Sequence, residues 1–145
     1  MDLNLKGKKA IISGANRGIG LTIAHHYAGE GIDVALLGRN NKALVEAAAE
    51  VRARHSAANV VTVLVDLEQP HTIKPAAESA VRQLGGVDIL VNCAGGAYRG
   101  RLGEIPDEMW ERYFKVKPLG LLRMTRELLP HLKQSRQGRV INISG

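Results

Sequence analysis

Lys9-Ala10-Ile11-Ile12-Ser13-Gly14-Ala15-Asn16-Arg17-Gly18-Ile19-Gly20 is the stretch whose reading decides the fold. Its first five residues read as a short buried strand, and a helical segment carrying Leu21, Ile23, Ala24 and Tyr27 follows the third glycine. Glycines between a strand and a helix let the backbone turn tightly and let a pyrophosphate approach closely. The N–H groups at the start of the helix then supply donors and a positive dipole end. The spacing is Gly-x-x-x-Gly-x-Gly, which differs from the commoner Gly-x-Gly-x-x-Gly fingerprint. A glycine-rich turn alone also joins ordinary strands to ordinary helices; here the strand before it and the helix after it favour the phosphate reading.

Outward from this turn, short apolar or β-branched runs alternate with longer helical stretches, the signature of parallel βαβ units. Strands are predicted at 33–37, at 60–65 closed by Asp66, at 87–91 running into Asn92-Cys93-Ala94-Gly95-Gly96, and at 139–143. Helices are predicted at 41–55 and at about 70–84. After a glycine-rich loop ending at Pro106, Asp107 and Glu108 suit the start of another, since acids complement the positive end of the helix dipole. That last helical stretch is expected to run to about Gln134 with a break or kink near Pro118. There is no internal repeat or low-complexity segment, so residues 1–145 read as one domain.

Composition narrows the partners. Of 145 residues, 45% are hydrophobic, enough for a buried core. The single cysteine, Cys93, excludes an internal disulfide framework and points to a reducing, cytoplasmic setting. No stretch approaches the roughly 20 apolar residues of a membrane span, so no membrane partner is expected. Twenty Lys and Arg against fourteen Asp and Glu give a net charge of +6. The basic residues are scattered and aromatics are only 3%, so a solvated surface and one phosphorylated ligand are expected rather than a nucleic acid. The five histidines show no metal-ligand spacing, and His25 and His26 diverge on their helix, so no metal is expected.

Three segments together resemble the short-chain dehydrogenase/reductase family: Ser13 to Gly20, then Asp66-Leu67 after the third strand, then Asn92-Cys93-Ala94-Gly95 after the fourth. They stand in the family's order, each at the carboxyl end of a predicted strand, and the likeness covers essentially the whole chain. The resemblance implies a Rossmann-type, doubly wound parallel α/β sheet, with five strands present and incomplete relative to the family. It implies a nicotinamide dinucleotide lying across the strand ends. Gly14, Gly18, Ile19 and Gly20 would form the pyrophosphate and nicotinamide-side turn, with Asn16 and Arg17 near the adenosine phosphates. Asp66 would accept from the adenine amino group and the Leu67 backbone would meet the ring edge. Asn92, Ala94 and Gly95 would pass the ribose, Asn92 also tying neighbouring strands together. Cys93 stands where relatives often carry a second Asn, and reads as a small buried hydrophobe because nothing adjacent in sequence would stabilise a thiolate.

Cofactor choice follows from charge. NAD selection usually needs an acid at the end of the second strand to hold the ribose diol; Gly38 occupies that place and Arg39 follows. An acid would repel a 2′-phosphate, whereas arginine offers it a planar charged fork, so NADP(H) is expected over NAD(H). Arg17 is a second basic residue of the kind NADP-preferring relatives carry. The plainer reading leaves Arg39 merely solvated.

The catalytic half departs from the family. Its Tyr-x-x-x-Lys lies on a helix after the fifth strand, and this sequence ends at Gly145 as that strand ends. The spacing from Tyr113 to Lys117 would place both on one helix face, but before the fifth strand; Tyr113 is expected to pack with Trp110 and Phe114 instead. Lys117 stands where relatives carry an active-site Asn that helps hold a relay water. Ser144 precedes Gly145, which replaces the family's catalytic hydroxyl; a one-residue shift turns a strand side chain to the other face. Lys117 and Ser144 are the candidate catalytic residues. The resemblance therefore implies hydride transfer with a small carbonyl or alcohol substrate, and the alternative is a truncated or non-catalytic dinucleotide-binding or interaction module. Leu121, Leu122, Met124, Leu128, Leu129 and Leu132 fit a helix with a large buried face, which relatives use for subunit contacts, so a homo-oligomer is expected.

Overall fold

In the computed structural model, which describes residues 3–96 and 100–144, every strand of the sheet is parallel and every crossover is helical. The elements run β1 (Lys9–Ser13), α1 (Gly18–Gly29), β2 (Asp33–Gly38), α2 (Asn41–Arg54), β3 (Val60–Leu64), α3 (Pro70–Leu84) and β4 (Ile89–Asn92). A 3-10 turn at Leu102–Glu104 leads to α4 (Asp107–Phe114), a π-helical turn (Lys115–Leu119), α5 (Gly120–Gln134) and β5 (Arg139–Asn142). Strand order is β3-β2-β1-β4-β5, so the chain reverses its winding between β1 and β4. In open parallel sheets the crevice for ligands opens at that reversal, beyond the carboxyl ends of the strands.

The central strands β2, β1 and β4 are buried on both faces, which is why they read as continuous apolar runs rather than alternating ones. Ile12, Val34, Leu36 and Val91 point to one face and pack beneath α1 and α2. Ile11, Ala35, Leu37 and Leu90 point to the other, beneath α3 and α5. Small residues bring α1 close, since Gly20, Ala24 and Ala28 are its buried positions. Local chemistry sets the helix ends: the Asn40 side chain accepts from the Ala43 amide at 3.0 Å to start α2, and Gly85, at φ 72°, ends α3 in the left-handed region.

Three details differ from the sequence reading. Val65, Val87 and Ile143 fall just outside the strands they were expected to extend, although Val65 and Val87 remain buried. The stretch expected to kink near Pro118 instead changes helix type there, because a π turn admits a residue that lacks an amide hydrogen without ending the helix. Beyond Phe114, α-helical spacing therefore no longer holds, and Tyr113 and Lys117 are not an i,i+4 pair on one α-helical face. The expected apolar face of α5 is split: Met124, Leu128 and Leu132 are buried against the sheet, whereas Leu122 and Leu129 are exposed. β5 forms the sheet's edge and is exposed along its length.

Candidate functional site

The first wall of the crevice is the turn between β1 and α1. The Gly14 and Ala15 amides both donate to the Leu37 carbonyl, at 2.8 and 3.2 Å, which folds the turn back over β2. Gly14 takes φ +69°, and a Cβ there would lie 2.7 Å from the Ala94 Cα, so the loop after β4 presses on bare backbone. A Cβ on Gly20 would lie 2.3 Å from the Gly14 carbonyl oxygen, so α1 springs directly from the turn. Gly18 is needed for a different reason: φ is +56°, yet the place of its Cβ is open space. Arg17 is the extended residue before the helix and offers no side-chain cap, and the first turn of α1 holds no acid. The dipole end and its amides therefore face an open position unopposed by any carboxylate of the helix itself, and the cradle is able to take a diphosphate. Ile19 projects from it, 61% exposed.

The second wall is the loop after β3. The Asp66 carboxylate accepts from the Glu68 amide at 3.0 Å, and Thr72 locks the Asp66 backbone by accepting from its amide (3.2 Å) and donating to its carbonyl (2.8 Å). Leu67 packs into the core and against Gly120. Across from it β2 ends at Gly38, where a Cβ would lie 3.3 Å from the Asn16 side-chain oxygen. The next residue, Arg39, is 61% exposed and pairs with Glu68 at 3.1 Å. Arg112 of α4 meets the same Glu68 oxygen at 2.6 Å.

The third wall is β4 with its neighbours. The Ser13 hydroxyl accepts from the Cys93 and Ala94 amides, at 3.1 and 3.2 Å, and binds the end of β1 to the loop after β4. The buried Asn92 amide donates to Asn142 of β5 (3.0 Å) and to Thr125 of α5 (3.1 Å), so one side chain joins two strands and a helix. The Lys117 stem lies across Gly95, where a Cβ would come 2.3 Å from the lysine Cε, and its ammonium donates to the Ile143 carbonyl at 2.6 Å. Ser13, Leu67, Asn92, Ala94, Val116, Lys117 and Leu121 line a small crevice here. Cys93 is half-buried; burial pushes its thiol upward, and the Lys117 charge opposes that without overcoming it. Lysine thus brings to Cys93 a charge that sequence neighbours do not supply.

Ser144 is exposed just beyond β5, and Gly145 and residues 97–99 lie outside the described residues. The structure thus gathers Gly14, Asn16, Arg17, Gly18, Ile19, Gly20, Asp66, Leu67, Asn92, Ala94, Gly95 and Lys117 around the carboxyl ends of the strands. Arg39 stands at the rim. Tyr113 stacks edge-on against Phe114, with ring centres 5.9 Å apart. The sequence reading gave no role to Glu68, Arg112 or Thr125, which pair with residues far away in the chain, nor to Thr72, which binds Asp66 six residues back. Ser13 had a signal, a hydroxyl at the strand end beside the first glycine. A larger groove of about 540 Å³ lies between α1 and α2 and reaches Gly18 of the turn; in it His25 sits 3.2 Å from Glu50 and edge-on to His55.

Comparison with known proteins places this architecture. The profile of one family, described as short chain dehydrogenase, matches residues 8–145. A fatty acyl-CoA reductase of Acinetobacter baylyi is 34% identical over 143 residues, covering 97% of this chain and 48% of that protein. Among solved structures, L-sorbose reductase from Gluconobacter frateurii, complexed with NADPH and L-sorbose, superposes with a TM-score of 0.91 at 34% identity, over 98% of this chain and 54% of that one. An alcohol dehydrogenase from Thermococcus sibiricus, complexed with 5-hydroxy-NADP, gives 0.87 at 30% identity, over 93% and 57%. The chain thus spans about half the length of the relatives it matches.

Proposed function

This chain belongs to the short chain dehydrogenase family, and on that premise we propose that it binds NADP(H) in preference to NAD(H) and serves hydride transfer with a small carbonyl or alcohol substrate. When bound, the dinucleotide supplies the hydride chemistry itself. The residues of this chain bind and orient. The Gly14–Gly20 turn and the start of α1 hold the diphosphate. Asn16 and Arg17 stand at its adenosine side, and Asp66 and Leu67 receive the adenine. Asn92, Ala94 and Gly95 line the path of the ribose, and the Ser13 hydroxyl keeps that loop in register with the turn. Lys117 and Ser144 are the groups proposed at the substrate side. The Lys117 ammonium has three donors, one of which is held by the Ile143 carbonyl.

The observation that carries the NADP(H) preference is the end of β2. Gly38 leaves no carboxylate to hold a ribose diol, and the guanidinium of Arg39 stands at the rim beside it. Titration of the full chain should show NADPH bound about tenfold or more tighter than NADH, and Arg39→Gln should abolish the difference. Equal affinities in the unaltered chain would overturn the preference.

The engagement of Lys117 with a backbone carbonyl favours a second reading, a dinucleotide-binding module without chemistry. NADPH oxidation with a panel of ketones separates the two. Among the described residues no helix is long and apolar enough to cross a membrane. We further propose a single domain over 1–145, a cytoplasmic setting in keeping with the lone Cys93, and self-association through the exposed Leu122 and Leu129 of α5.

A further inference from the structure

We infer that the substrate is a carbonyl compound bearing a carboxylate, and that the Lys117 ammonium is the group which binds that carboxylate. This inference deepens the hydride-transfer reading above and rests on it. Lys117 is half-buried and lines the small crevice at the carboxyl ends of the strands, where no other lining residue carries a charge. Among the described residues no carboxylate pairs with it, and its hydrogen bond runs to the Ile143 carbonyl, an uncharged acceptor. Cys93 does not neutralise it either: burial pushes that thiol upward, so near neutral pH the sulfur keeps its proton. The crevice therefore holds a cation whose counter-ion the described residues do not supply.

The ammonium is also held in place. Its stem lies across Gly95 and the Ile143 carbonyl takes one of its three donors, which leaves two N–H groups for a ligand. A carboxylate has two oxygens to accept them, and a side chain already fixed loses little freedom on binding. Partial burial screens the charge less than open water does, which favours an anion over a neutral group. The small size of the crevice suits a flat carboxylate better than a tetrahedral phosphate. Gly95 lies on the proposed path of the ribose, so the ammonium stands beside the bound dinucleotide.

The test is calorimetric titration of the full chain loaded with NADP+, which has no hydride to give, so binding is read without turnover. The probes are pyruvate and phenylpyruvate, each beside its methyl ester, which removes the charge and leaves the carbonyl. At least one acid should bind about tenfold or more tighter than its ester, and Lys117→Met should erase that difference while leaving NADP+ within about twofold. Cys93 supplies a second readout: a bound carboxylate neutralises Lys117, so the acid should slow alkylation of the wild-type thiol by iodoacetamide toward the Lys117→Met rate, and the ester should not. The inference is overturned when acids and esters bind alike or none binds, when the acid keeps its advantage in Lys117→Met, or when the bound acid leaves alkylation unchanged. It is overturned as well when Lys117→Met weakens NADP+ as much as the acid, since Lys117 is then a cofactor ligand. When the unaltered chain takes up no NADP+, the dinucleotide reading itself has failed, and the inference with it.

Discussion

The turn from Gly14 to Gly20 and the ledge made by Lys115–Leu119 with β5 both touch the loop after β4 and are built by different means. The turn is backbone against backbone: Gly14 against Ala94, and Gly20 against the Gly14 carbonyl. The ledge is held by side chains that reach across the fold, Lys117 to Ile143 and Asn92 to Asn142 and Thr125. A backbone contact tolerates no side chain at all. A side-chain contact tolerates replacement at the cost of the contact itself. The two walls should therefore respond unequally to substitution.

The largest effect is expected at the turn. Gly14→Ala combines left-handed strain with a collision against the Ala94 backbone and should cost about 3–5 kcal/mol in urea unfolding. Gly18→Ala meets only the strain, since open space surrounds its Cβ, and should cost about 1–2 kcal/mol. Equal losses would show that close packing is not what selects Gly14.

Support beneath the ledge comes next. Leu128 is fully buried, so Leu128→Ala should lose about 3 kcal/mol, whereas Leu122→Ala, at a position 55% exposed, should stay within about 0.5 kcal/mol. A matching loss at Leu122 in the dilute chain would mean that a partner covers it. Asn92→Ala removes two hydrogen bonds and leaves Asn142 and Thr125 short of a donor, for about 1–3 kcal/mol by thermal unfolding. No change there would mean that β5 is held by its ladder alone.

The smallest effect concerns Cys93. Its folded thiol titrates above its ordinary value of 9.0 because burial disfavours the thiolate, and Lys117 partly offsets this. Lys117→Met removes the offset, so the thiol should rise further and alkylation by iodoacetamide at pH 8 should slow about two- to fivefold. Faster alkylation would show that the lysine shields the sulfur rather than charging its surroundings. In stability the sign is fixed: the contribution of the protonated thiol is whole below 9.0 and is lost as pH climbs through the folded value.

The same contrast explains what could be read in the chain. The parallel sheet was legible because strands buried on both faces leave unbroken apolar runs, as at Ile11–Ile12 and Val34–Leu37. The glycines of the turn were legible because each marks a backbone that no other residue can copy. Glu68 and Arg112 were not, because a carboxylate between two arginines is set by tertiary distance and carries no periodicity. The π turn was hidden as well: a proline in a helical pattern signals interruption, and here the backbone absorbs it by widening one turn.

The lysine stem resting on Gly95 imposes an order on sequence change. A methyl group at 95 would lie 2.3 Å from Cε of Lys117 and 3.1 and 3.2 Å from its Cδ and Cγ, so the lysine stem must shift before a side chain enters there. Glycine at 95 leaves room for other residues at 117, whereas alanine at 95 requires the lysine stem to shift or a shorter residue to replace it.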